Sequence, residues 1–153
     1  MYDLTHEQIV TQTALRVLFV LPQMPQDPSS GAARSTTICE MLAESGMAVR
    51  ALATTATESV THIDPLAYLH SLGCDVQVAC GRMRPELSFT RRGIDYRLID
   101  VGRRRPSEWQ NTQQKQFDLA FDDGLHAFRP DILFTFGGLP GDIRRQHRAR
   151  RGL

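Results

Sequence analysis

In the stretch FVLPQMPQDPSSGAARS, residues 19–35, Ser29, Ser30, Gly31 and Ala32 stand where an apolar run passes through a proline-rich loop into helical spacing. Small side chains let the backbone approach a bound group closely. N–H groups at a helix start point at such a group with the positive end of the helix dipole. The chemistry on offer is anion binding, phosphate above all, and Arg34, one turn further in, adds a charge-assisted contact. A glycine before a helix is equally plain turn chemistry, and the spacing leaves both readings open. The loop lacks G-x-G-x-x-G, which leaves a dinucleotide site of the usual kind poorly supported, and it lacks G-x-x-x-x-G-K-[ST], which excludes a P-loop. A second small-residue stretch, FTFGGLPGD, places Gly137 and Gly138 beyond another apolar run. It reads either as a turn into a helix capped by Asp142 or as a second ligand-facing loop.

No set of nucleophile, base and orienter emerges elsewhere. Asp122 and Asp123 are neighbours on a helical stretch and point about 100° apart, so they read as solvated surface and not as an acid/base pair. Asp131, after Pro130, closes a loop. Ser30 and Ser35 lack the G-x-S-x-G surround of a nucleophile elbow. Cys39, Cys74 and Cys80 are odd in number and form no C-x-x-C pair, so reduced structural thiols are expected. The five histidines show no metal-ligand spacing, and no bound metal is indicated. Arginines crowd at 103–105 and 144–151, a pattern suited to phosphates. They spread around a short helix without interleaved aromatics for base stacking, so no nucleic-acid partner is expected.

The elements that would position these residues alternate. LRVLFVL (15–21) is a continuous apolar run ended by Pro22, as in a strand covered on both faces of a parallel sheet. Ile38, Met41 and Leu42 follow at helical spacing up to a terminal Gly46, and MAVRALATT (47–55) reads as a second strand. Residues 64–73 form a helix opened by proline, CDVQVAC (74–80) a strand, and GIDYRLIDVG (93–102) another. The longest helix covers 107–128, with Phe117, Ala120, Phe121, Leu125 and Phe128 on one face, and Pro130 stops it. DILFTF (131–136) is a buried strand, and 142–151 begins a further helix. The expected fold is α/β, a Rossmann-like doubly wound parallel sheet over 15–153, with residues 1–14 as a tail. The alternation calls for another strand after the last helix, so the domain is expected to be incomplete at its C-terminus.

At 41% hydrophobic and 23% charged, with a net charge of +1, the composition is that of a globular chain able to bury a sizeable core. No apolar run approaches the roughly 20 residues needed to cross a bilayer. The N-terminus has no signal-peptide pattern, and a cytoplasmic location is expected.

LRVLFVLPQMPQDPSSGAARSTTICEMLAESGMAVRALATT resembles the opening of a GT-B glycosyltransferase, in particular the family 4 retaining enzymes. Those begin with a strand, a proline-bearing loop with small residues, a helix and a strand followed by threonines. FRPDILFTFGG is similar to the family's later segment, a proline and aspartate before an apolar strand and a ligand-facing loop. The resemblance covers most of 15–153 and rests on the order of segments. It implies a nucleotide-sugar-dependent transferase of two Rossmann-like domains, this one on the acceptor side. The donor would be a nucleotide-diphosphate sugar, with no other cofactor. By position, Gly31 and Ala32, with Ser30 adjacent, match the loop that touches the donor diphosphate, and Gly137 and Gly138 match the acceptor-cleft loop. Where many members carry a histidine in the strand-end segment, this chain has Thr135 and Phe136. The family's second domain, with its paired glutamates, lies outside these residues, so no catalytic residue is assigned and the piece alone is not expected to turn over. Three other readings remain: a stand-alone non-catalytic α/β binding or interaction domain, of which a receiver-like module is one version (VLPQMP lacks its clustered aspartates), an epimerase-like sugar-nucleotide enzyme, and an arginine-rich nucleic-acid binder.

Overall fold

The computed structural model describes residues 14–57, 63–80, 85–101 and 111–135. The tail 1–13, Phe136, Gly137, Gly138, Asp142 and the arginine groups at 103–105 and 144–151 lie outside them.

Strand β1 (Arg16–Val20) has four successive buried residues, Val17 to Val20. Val17 and Phe19 join one core, and Leu18 and Val20 the other, the alternation of a pleated strand packed on both faces. Helix α1 (Ser30–Glu44) returns the chain to strand β2 (Ala48–Thr54), whose first five residues, Ala48 to Leu52, pair in parallel with all of β1. Helix α2 (Pro65–Ser71) starts on Pro65, with the Asp64 carboxylate accepting from the Ala67 N–H at 3.1 Å. Both α1 and α2 are followed by a glycine in the left-handed region, Gly46 at φ +97° and Gly73 at φ +83°. A side chain resists that conformation, which is why the glycines mark these ends in the sequence.

Strands β3 (Gln77–Cys80), β4 (Pro85–Arg91) and β5 (Ile94–Ile99), helix α3 (Asn111–Phe128) and strand β6 (Ile132–Thr135) complete the described elements. The six strands form one sheet in the order β3-β4-β5-β2-β1-β6. The chain is thus α/β, and the run β5-β2-β1-β6 is parallel throughout, compatible with a Rossmann-like arrangement. The expectation of a parallel sheet is corrected on the other side, where β3, β4 and β5 are antiparallel. The physical reason is the two-residue link Arg92–Gly93 between β4 and β5. Both residues have positive φ, +51° and +77°, the mirror-type turn that closes an antiparallel hairpin. PELSFTR carries only two apolar residues, Leu87 and Phe89, and both are buried against the α1 and α2 side.

Helices α1 and α2 cover one face of the sheet and α3 the other. Phe117 and Phe121 of α3 are completely buried over Leu18, Val20 and Leu52, each contributing about 2 to 3 kcal/mol of burial. Among the described residues no helix is long and apolar enough to cross a membrane.

Candidate functional site: the crevice at the end of β1

Strand β1 lies between β2 and β6, so the direction in which strands are added reverses there. In open α/β sheets the ligand crevice lies beyond the carboxyl end of the strand at that reversal. The loop from Leu21 to Ser29 occupies this position and is tied down along its length. Leu21 N–H donates to the Leu52 carbonyl at 2.9 Å, and Met24 N–H to the Ala56 carbonyl at 2.7 Å. Thr54 Oγ1 donates to the Pro22 carbonyl at 2.7 Å and accepts from the Ala56 N–H at 3.1 Å. Thr55 Oγ1 donates to Asp100 Oδ1 at 3.3 Å and accepts from the Val101 N–H at 2.9 Å, which links the ends of β2 and β5. Both threonines are fully buried, so the hydroxyls act as fixed staples between strand ends.

Ser29 is the N-cap of α1, yet its hydroxyl accepts from Gln23 Nε2 at 3.0 Å and makes no capping bond to the helix. The first turn, Ser30, Gly31 and Ala32, also contains no acidic residue. Its N–H groups thus receive no cap from Ser29 and no carboxylate from their own turn, which favours uptake of an anion at the helix start. A Cβ placed on Gly31 would meet nothing within 4 Å, and the residue is exposed. Its φ is not in the left-handed region, so the turn does not require glycine at this position. What glycine provides is room beside the helix start. Ala32 turns its methyl into the protein and can offer a ligand only its backbone, whereas Arg34 is exposed and forms no ion pair among the described residues.

The sequence signals thus brought Ser30, Gly31 and Ala32 to one turn, with Arg34 behind them. They missed the polar residues that anchor and back the loop: Thr54, Thr55, Thr57, Asp27 and Asp100. The available signal was three threonines in four positions where an apolar strand ends. Asp27 is buried, and Asp100 is half-buried at the end of β5. Thr57 Oγ1 is buried and has no hydrogen-bond partner among the described residues. Behind the loop, the Tyr68 hydroxyl donates to the Gln26 carbonyl at 3.1 Å. Burial raises its pKa, the negative charge of Asp27 adds to this, and Arg91 opposes it.

No activated nucleophile accompanies this cradle among the described residues. Burial, reinforced by Glu40, pushes the Cys39 thiol up to about 12, which keeps it protonated and inert. Cys74 is buried and Cys80 exposed, both as free thiols. No group of three or more histidine, cysteine, aspartate or glutamate side chains among the described residues is arranged to hold a metal ion. Asp123 is exposed and loosely paired with Arg97 at 3.7 Å, on the α3 face of the sheet and away from the crevice. Comparison with protein-family models, curated proteins and solved structures gives no match.

Proposed function

We propose that the chain is the acceptor-side, N-terminal part of a family 4-like GT-B glycosyltransferase, whose crevice at the end of β1 receives the diphosphate of a nucleotide-sugar donor. In the complete enzyme the sugar would pass to an acceptor hydroxyl with retention of configuration. The observation that carries this reading is the helix start at Ser30–Ala32, uncapped by Ser29, with open space at Gly31 and a loop stapled to β2. Fixed N–H donors aimed at a departing diphosphate stabilise the charge that develops as the glycosidic bond breaks, without reorganising during the step. The order of parallel strands, β5-β2-β1-β6, supports the finer description of a Rossmann-like half of a doubly wound fold. Gly137 and Gly138 would line the acceptor side of the same cleft.

A stand-alone, non-catalytic α/β binding domain is the second reading. It is favoured by the carboxylates behind the loop, buried Asp27 and half-buried Asp100, whose negative charge works against an anion at the helix start. Calorimetry with a nucleoside diphosphate separates the two. The transferase reading expects saturable binding that Gly31→Ala preserves and Gly31→Val weakens at least tenfold. Absence of binding by the wild-type chain, or equal binding by the valine variant, would refute it.

A further inference from the structure

We infer that a second site, a slot between α3 and the sheet, binds a small cationic amphiphile with an aromatic or aliphatic body and a protonated amine. The slot measures about 370 Å³, within the size range of small-molecule pockets. It lies towards the amino ends of the parallel strands, opposite the crevice. Arg50 and Asp95, near the starts of β2 and β5, stand at its rim. Phe128 closes one end, and its carbonyl accepts from the guanidinium of Arg16, the first residue of β1, at 3.1 Å.

The body of the slot is apolar and made by small side chains. Leu18 and Leu52 form part of the floor, and α3 presents Ala120, Gly124 and Ala127 above it. Stepping by four and three residues, these three lie on one side of the helix. Gly124 lets the helix come down onto Leu18, where a Cβ would stand 3.5 Å from Leu18 Cδ2, and the short methyls of Ala120 and Ala127 leave the room on either side. An apolar recess of this kind gains by exchanging water for a hydrocarbon or ring.

The rim selects the charge. It holds two guanidinium groups, Arg50 and Arg97, against three carboxylates, Glu86, Asp95 and Asp123. Arg97 is committed to Glu86 at 2.8 Å. Among the described residues Asp123 is held by that same Arg97, at 3.7 Å, and Asp95 meets Arg50 at 3.8 Å. The surplus carboxylate and the two loose pairs leave a place for a cation beside an apolar recess. At the other end the Phe128 face is already taken by the chain's own cation, the guanidinium carbon of Arg50 standing 4.5 Å above the ring centre, so the amine of a ligand is placed at Asp123.

The test is a titration of the chain with phenethylammonium and, separately, with its neutral analogue 2-phenylethanol, followed through the methyl resonances of Leu18, Ala120 and Ala127. The expected result is saturable shifts with both, the ammonium compound binding about two- to fivefold tighter, as an exposed ion pair provides. Asp123→Asn should bring the two affinities together while leaving the alcohol unchanged. Ala127→Leu, at an exposed position that does not threaten folding, should abolish binding of both. No saturable shift in the wild-type chain would overturn the inference, and so would an ammonium preference that survives Asp123→Asn. The outcome is independent of the crevice, because nucleoside diphosphate binding is measured separately.

Discussion

Gly31 separates folding from binding better than any other described residue. Because a Cβ there would meet nothing within 4 Å, alanine fits the free chain without a clash, and the loss expected for valine is read as exclusion of the ligand once its unfolding midpoint matches that of the alanine variant. Gly31→Ala is expected to raise stability by about 0.5 kcal/mol through helix propensity, measured by urea unfolding. A loss of stability would show that the position is strained in a way its backbone does not reveal. Cys39 makes a different prediction. Its thiol holds the proton more tightly in the folded than in the unfolded state, so its contribution is complete below the ordinary value of 9.0 and is lost as pH rises towards about 12. Cys39→Ala should be less stable near neutrality, for lack of packing, and should show a shallower alkaline decline. Parallel pH profiles for the two proteins would contradict this. Tyr96, also raised chiefly by burial, keeps part of the alkaline slope in both.

The elements around the crevice are held by a few specific bonds. Thr54→Val keeps the shape of the side chain but removes the acceptor for Ala56 N–H and the donor to Pro22, so a cost of about 1 to 3 kcal/mol is expected in denaturant unfolding. Thr54→Ser should recover most of it. A neutral valine variant would mean that the loop does not depend on this staple. On the opposite flank, α2 has only seven residues and one N-cap carboxylate. Asp64→Ala should lower stability by about 1 kcal/mol, read in the same assay. The ends of α1 and α2 could be read from the sequence because glycine and proline act locally. The threonine staples could not, because Thr54 and Thr55 find their partners 32 and 45 residues away. Strand β4 escaped for a related reason. Leu87 and Phe89 are too few to announce a strand, and their alternation acquires meaning only once the Arg92–Gly93 turn lays them against β5.

At the scale of the whole molecule, two cores share one sheet, and β1 belongs to both. Phe121→Ala should cost about 3 to 5 kcal/mol, because it empties the centre of the α3 core, and circular dichroism should show helix lost along with stability. Strand β1 was legible because a strand buried on two faces reads as an unbroken apolar run, whereas β6, read from DILFTF as buried, is only partly covered at the sheet edge. The antiparallel half, with its polar outer face, was only partly legible. The same geometry decides the site, since β1 at the strand-order reversal carries its loop and the start of α1 to the mouth of the crevice. The most direct measurement is a titration of the isotope-labelled chain with pyrophosphate, followed by amide resonances. The account predicts saturable shifts centred on Ser30, Gly31 and Ala32 that vanish in Gly31→Val, whereas shifts scattered over exposed arginines, or none at the helix start, would contradict it.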